Sequence, residues 1–546
     1  MFNFATTTSF ILAIIVSVAN AILLCVIAAK LLQIFQLGGY RVRPFAFWLY
    51  DRRAPFYTRL FVFSLLGLGS MFLVSILFWR FTEIVYLSYL GLIFYAYLGI
   101  YLARDIDKKN KSAKVRLKLT PRVWRLYVVL FAMTALATYT ILWLGSTVWV
   151  SEEWVRFSLI AFIPLLLPPL VFVAHCINYP LEWLIRARFT CRAQRKLRRP
   201  EFSNLVRIGI TGSYGKTTCK NILTQMMAKK FNTTASPSSF NTPMGFAMTV
   251  NNELKSGCEV LIFEMGLRYK RDIKTLAKLF KPMHGILTGI GTQHIETMKT
   301  QAAIIAEKSE LLRALPSNGI AVLNGESPGC VEIHGNLELE NKFLTSLETN
   351  TKNISVTAEG CTFDLVFGKE KASCTTQLLG KHNIENILTC AALAHKLGVP
   401  LKSIAEAIAE LKPTPHRLEL IRASNGIIIL DDSYNANEQG TRAALDVLAL
   451  FTGKKVIQTP GIVEQGKESH KTNFKLGKRI ARVADEVIIV NETNRAYIEA
   501  GLENSNFDKA KIHTVKTAAD AKQLYSKLLT AGDVLLIAND LPDNFA

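Results

Sequence analysis

A lysine that follows glycines at the end of a short apolar strand is a device for holding phosphate, and residues 206–218 are built that way. Val206 to Ile210 read as a strand, and Thr211-Gly212-Ser213-Tyr214-Gly215-Lys216-Thr217-Thr218 as a loop that opens a helix. Gly212 and Gly215, with Ser213 and Thr218 beside them, let backbone N–H groups approach an anion, and the helix N-terminus adds partial positive charge. Lys216 reaches the β- and γ-phosphates, and the Thr217 hydroxyl suits magnesium. The predicted ligand is a nucleoside triphosphate, ATP. The first glycine stands closer to Gly215 than the usual spacing, so an ordinary glycine-rich turn is the competing reading.

More polar residues fall where strands should end. Val260-Leu261-Ile262-Phe263 runs into Glu264-Met265-Gly266, and ligands gather at the carboxyl ends of strands in α/β sheets. Glu264 is therefore predicted to be a metal or water ligand, with a solvated carboxylate as the bland alternative. Downstream lie His294-Ile295-Glu296 after a strand and turn, and Lys308 and Glu310 in a helical stretch, Ala302 to Leu315. Taken singly, His294 reads equally as a structural histidine and Lys308 as a surface lysine.

The elements that must position these residues belong to a chain of 546 residues, long enough for two to four domains. Five apolar runs open it, at about Thr8 to Leu37, Leu60 to Trp79, Ile84 to Ala103, Leu126 to Gly145 and Phe157 to Ile177. Each approaches the roughly 20 residues a helix needs to cross a bilayer, which predicts five spans. The first lacks the basic flank and small-residue cleavage site of a removable signal. Pro164, Pro168 and Pro169 are expected to kink the fifth. Lys and Arg crowd alternate loops: 41–59, 104–125 and 186–199, while the turn at Phe81 to Glu83 and the acidic loop at Ser151 to Glu153 do not share the excess. That pattern predicts a multi-pass protein of the inner (plasma) membrane with its N-terminus outside and everything after Ile177 cytoplasmic.

Residues 1–200 hold 24 Lys and Arg against 7 Asp and Glu, so most of the net charge of +21 sits beside lipid and no nucleic-acid partner is expected. No carboxylate stands in mid-span, which argues for an anchor or lipid platform over an ion pathway. Nine scattered cysteines without a Cys-x-x-Cys pair predict neither disulfide nor zinc site. After the basic linker, strands and helices alternate as around a mainly parallel sheet. Further strands are expected at Gly426 to Leu430, Lys455 to Gln458, Glu486 to Val490 and Asp533 to Ile537.

From about Arg207 to Ala538 the chain resembles the Mur ligases, ATP-dependent amide-forming enzymes of peptidoglycan assembly, and within them those that add D-alanyl-D-alanine. Eight motifs in order carry the resemblance: Thr211 to Thr218, Asn241-Thr242-Pro243-Met244-Gly245, Glu264-Met265-Gly266, Thr288 to Glu296, Ala306-Glu307-Lys308-Ser309-Glu310, Gly380 to Asn386, His416-Arg417-Leu418-Glu419, and Asp431 to Asn437. The implied fold is an α-helical transmembrane bundle (1–180) and basic linker (181–204), then a P-loop ATP-binding central α/β domain (205–412) and a C-terminal Rossmann-like α/β domain (413–546). The resemblance implies a catalytic set of Lys216, Glu264, His294, Lys308 and Arg417. It also implies two magnesium ions, one on Thr217 and Glu264 and one on His294 and a carbamylated Lys308. His382, Asn383 and Asn386 match adenine-side positions. Arg417, Asp431 and Asn435 match what the last domain brings to the nucleotide as it closes.

Both substrate ends depart from the family. The uridine-nucleotide-binding domain is absent, with apolar runs in its place; Asn324-Gly325-Glu326 replaces an Asn-x-Asp pair, and Ala538-Asn539-Asp540 a Lys-Gly-Ser motif. The expected partners are thus a lipid bilayer, a cell-envelope precursor that is lipid-linked or soluble, and an amino acid or dipeptide. The rival function is a transporter or flippase energised by a ligase-like ATPase.

Overall fold

The computed structural model describes residues 7–539 except 52–53, 79–87, 113–115, 145–158, 239, 294, 435–436 and 464. The expected turn at Phe81 to Glu83 and loop at Ser151 to Glu153 lie outside the described residues. The chain divides into two compact units at Ile185/Arg186.

In the first unit the described helices are Thr7–Leu37, Val42–Asp51, Ala54–Phe78, Ser88–Ser112 and Pro121–Leu144, followed by the long helix Leu167–Leu197, whose last residues enter the second unit. Among the described residues, three stretches are long and apolar enough to cross a membrane: Phe10–Leu37, Pro121–Trp143 and Ile163–Leu197; Thr58–Ser70 is a shorter apolar helix. Pro164 sits in a 3₁₀ turn, Ile163–Leu166, and Pro168 and Pro169 open the helix that follows, where a missing N–H costs nothing. The expected kink is thus a helix start. The small residues Ala13, Ala21 and Ala28 pack inward while Ile11, Ile15 and Ile22 of the same helix are exposed. Polar groups turn inward too: Asn20 Nδ2 donates to Thr138 Oγ1 at 2.9 Å, and Asn20 Oδ1 accepts from the Tyr95 hydroxyl at 3.2 Å. Buried Glu182 accepts from Arg125 Nε at 2.9 Å and lies 3.5 Å from Arg122 Nε.

The basic segment at 181–204 is helical through Leu197, where the helix Leu167–Leu197 ends.

In the second unit β1 (Val206–Thr211), β2 (Thr233–Ala235), β3 (Val260–Glu264), β4 (His284–Leu287), β5 (Ala321–Asn324) and β6 (Lys342–Thr345) form an all-parallel sheet in the order β2-β3-β1-β4-β5-β6. Such a sheet is covered on both faces, which is why β3, β4 and β5 are buried along their whole lengths. A small antiparallel sheet, β7 (Thr351–Thr357), β8 (Gly360–Phe367) and β9 (Glu370–Thr376), was not foreseen; β7 is mostly exposed and shows no apolar alternation.

The last sheet, in the order β10-β11-β15-β12-β13-β14, contains β10 (Glu419–Arg422), β11 (Ile428–Asp432), β12 (Lys455–Thr459), β13 (Glu486–Val490), β14 (Ile512–Val515) and β15 (Val534–Ala538). Only β10 is antiparallel. The expected strands fall within two residues of β11, β12, β13 and β15.

Removing Glu182 would take away the carboxylate that Arg122 and Arg125 share. Glu182→Ala is expected to destabilise the detergent-solubilised chain by about 2 kcal/mol, a fraction of the effect of breaking a fully buried pair because both arginines keep some solvent. Thermal unfolding followed by circular dichroism checks this.

Candidate active site

Parallel register assembles the site. β1 lies between β3 and β4, with Ile210 opposite Glu264 and Thr211 opposite Leu287, so the glycine loop, Glu264 and Thr288 emerge side by side at the carboxyl ends. Ser213 N donates to Gly289 O at 2.7 Å, and Gly291 N donates to Ser213 Oγ at 2.9 Å. Thr288 Oγ1 donates to Tyr214 O. The loop is therefore tied to the segment after β4. Gly215 has φ +77° and opens the helix Lys216–Ala228; a Cβ there would stand 2.6 Å from Asn386 Oδ1. A Cβ on Gly212 would stand 2.0 Å from Thr288 Oγ1.

The cations converge on one backbone atom. Lys216 Nζ donates to Gly212 O at 2.8 Å, and Lys308 Nζ to the same oxygen at 2.6 Å. Thr300 caps the helix Gln301–Arg313 by accepting from Ala303 N at 3.1 Å, and two turns later that helix delivers Lys308, 1 % exposed. Burial, then the neighbouring Lys216, pushes the Lys308 ammonium well below its ordinary pKa. Burial also lowers Lys216, against the pull of Glu264. Thr217 Oγ1 donates to buried Glu264 Oε2 at 2.8 Å, and Thr218 follows in the same turn.

His294 and Asn435 lie outside the described residues. Asn386, on the helix Lys381–Lys396, reaches the loop through the contact at Gly215 and accepts from Cys219 Sγ at 3.3 Å. Asn383 is spent on structure, donating to Leu379 O at 2.8 Å. His382 Nδ1 is buried without a hydrogen-bond partner, and burial pushes that imidazole down to about 4. Arg417 stacks its guanidinium 4.5 Å over the Tyr434 ring and feels the charges of Asp432 and Glu264. Asp431 faces the hinge, where Oδ2 lies 2.7 Å from His416 Nδ1 and Oδ1 accepts from Ser433 N at 3.0 Å. A cleft of about 720 Å³ between the two α/β domains is lined by Thr217, Lys220, Ser236, Arg417 and Tyr434.

Two further residues were missed. Lys220, one turn after Lys216, is 2 % exposed and donates to Ser236 O at 2.7 Å and to Ser238 O. Its i+4 spacing from Lys216 was the available signal. Asn241 Nδ2 donates to Glu264 Oε1 at 3.3 Å; it opens one of the motifs that carry the resemblance, before Thr242, whose side chain caps the helix Pro243–Met248, but the resemblance assigns it no role. Glu326, which departs from the family pattern, accepts from Leu347 N at 2.9 Å and so caps a neighbouring helix.

Residues 210–394 match the Mur ligase middle domain and residues 416–539 the Mur ligase glutamate ligase domain. The chain belongs to the Mur ligase family and is an ATP-dependent acid–amino-acid ligase. It is 28 % identical over 332 residues to the UDP-N-acetylmuramoyl-tripeptide–D-alanyl-D-alanine ligase of Escherichia coli K12, covering 60 % of this chain and 73 % of that one. The Bacillus subtilis 168 enzyme of the same name is 26 % identical over 332 residues, 60 % and 72 % of the two chains. The fold is shared with the MurF ligase of Thermotoga maritima in complex with ADP, at TM-score 0.58 and 24 % identity, covering 65 % and 80 %.

Gly215→Ala forces a side chain into left-handed backbone and onto Asn386. Nucleotide binding, followed by calorimetry, is expected to be lost, with a fall in stability of about 1–3 kcal/mol.

Burial pushes the Asp432 carboxyl up to about 7, against the opposing pull of Arg417. Its folded-state value lies above the unfolded value of about 4, so the fold gains most below pH 4 and loses that gain as pH rises through 7. Asp432→Asn is expected to shrink the drop in thermal midpoint between pH 5.5 and pH 8.5.

Proposed function

We propose that this protein is a membrane-anchored ligase that activates a carboxylate with ATP and joins it to an amine. The carrying observation is the meeting of Lys216 and Lys308 on the Gly212 carbonyl beside the Thr217–Glu264 pair. A carboxylate and a triphosphate repel each other, so their reaction needs cations fixed before either arrives. In this reading Lys216 holds the β- and γ-phosphates, and Arg417 approaches the γ-phosphate when the C-terminal domain closes. The carboxylate oxygen attacks the γ-phosphorus, ADP leaves, and the acyl phosphate has phosphate as leaving group. The amine then displaces it. Asn386 and the unpartnered His382 nitrogen lie on the side assigned to adenine. Closure would keep water from the acyl phosphate.

The hydroxyl of Thr217 and the carboxylate of Glu264 are hard oxygen donors of the kind magnesium takes. Bound there, the ion would neutralise charge on the phosphates. Burial favours the uncharged Lys308 amine, the form that adds carbon dioxide with loss of a proton; the carbamate would give it oxygens to share a second ion with His294.

Names of the relatives point to a muramoyl-tripeptide acid and a D-alanyl-D-alanine amine. Membrane anchoring, through the five predicted spans, is supported by three long apolar helices, by large apolar side chains facing outward from them, and by arginines and lysines on alternate loops. With those helices where a nucleotide-gripping domain is expected, the acid is presented from a lipid carrier at the cytoplasmic membrane surface.

The test gives the full chain, reconstituted in bilayers, either a lipid-linked or a uridine-linked muramoyl tripeptide with D-alanyl-D-alanine and ATP. Mass spectrometry is expected to find conjugate formed faster from the lipid-linked acid; equal or better turnover of the soluble one overturns lipid presentation. Lys216→Ala is expected to lower conjugate formation about a hundredfold or more with either acid.

A further inference from the structure

The end of the long helix carries a basic stripe that nucleotide chemistry does not use. Arg188, Arg192 and Arg195 follow the spacing i, i+4, i+7, which at 100° per residue places the three within about 60° of one helix face, and Arg199 follows two residues past the helix end. A positive-inside signal needs arginines on this segment but not on one side of it, and Arg186 and Arg198 show the scatter such a signal permits. Like charges one turn apart repel. Among the described residues none of Arg188, Arg192 and Arg195 has a carboxylate partner, while Glu201 lies 3.5 Å from Arg199.

The stripe faces a wall. It lines a cleft of about 540 Å³ whose other side is Asn251, in the π-helical turn Thr249–Glu253 of the central domain. Lys196 fastens the two sides, donating to Asn251 O at 3.2 Å and Leu254 O at 2.6 Å, and Asn251 Nδ2 donates to Phe189 O at 3.1 Å. The helix that carries the arginines is therefore fastened to the central domain beside them.

We propose that this cleft holds the phosphate ester of an anionic membrane lipid. The inference rests on reading the apolar part of the same helix as membrane-spanning. Arg188 follows the apolar pair Leu184 and Ile185 by about one turn of the same helix, roughly 6 Å, which places the start of the stripe at headgroup level. Guanidinium groups pair with phosphate oxygens through parallel N–H donors, and three of them along one helix face suit a phosphodiester that approaches along the helix.

The test uses the full chain, equilibrated with phosphatidylglycerol or phosphatidylcholine and examined by native mass spectrometry for retained lipid. The wild type is expected to prefer phosphatidylglycerol. Arg188→Gln/Arg192→Gln should lose that preference by about tenfold or more, while Arg186→Gln/Arg198→Gln, with the same charge removed off the stripe, should keep it. Should the first pair fail to fold, Arg195→Gln is expected to lose about threefold. Equal loss in both pairs reduces the effect to net charge and overturns the proposal. Binding of inorganic pyrophosphate in the cleft without any lipid preference assigns it to a free anion and overturns it as well. A chain that stays soluble without lipid or detergent overturns the membrane reading and this inference together; one that inserts but retains phosphatidylglycerol in the stripe variants overturns this inference alone.

Discussion

Everything in the catalytic half depends on holding several basic side chains close together around a single carboxylate. Lys216, Lys220, Lys308 and Arg417 all feel the charge of Glu264, and all four are withdrawn from water far enough for burial to dominate their pKa. Such a cluster is unfavourable in a low-dielectric interior unless something offsets it. Here the offset comes from oriented backbone carbonyls: Gly212 for Lys216 and Lys308, Ser236 and Ser238 for Lys220. Carbonyl dipoles hold the lysines in place but do not neutralise them. The pocket keeps an excess of positive potential, which a polyphosphate and an acid substrate would satisfy.

That arrangement is only as good as the scaffold beneath it. A one-residue slip of β3 against β1 would turn Glu264 to the other face of the sheet. The parallel sheet resists that slip because both faces are packed, with Ile208, Ile262, Ile286 and Val322 in one core and Leu261, Phe263, Leu287 and Leu323 in the other. A short hinge segment leads into the C-terminal sheet, and His416 and Leu418 in it both hold left-handed backbone, φ +60° and +49°. Asp431 and Asp432 accept from this hinge, so the residues on either side of Arg417 are fixed from the C-terminal sheet and the guanidinium is aimed by Tyr434.

The departures from the family cluster at the substrate ends and spare the phosphate machinery. Glu326 has become a helix cap, and Asn539 donates to Gly461 O at 2.8 Å as part of a turn. Those positions now serve the fold, which is consistent with an acid gripped elsewhere.

What the sequence determined by itself is local and periodic. The strand-loop-lysine order, the apolar runs, the carboxylate at the end of β3 and four strands of the last sheet follow from spacing and burial preference along a few residues. Tertiary structure alone decided the rest. It brought Lys308 to a carbonyl 96 residues away, recruited Lys220 and Asn241, placed Asp431 at the hinge, and paired the exposed strands of residues 351–376. It also turned a basic segment into one wall of a cleft. The physical reason is common to all of these: strand register and helix packing set which distant side chains meet, and no window of sequence contains both partners.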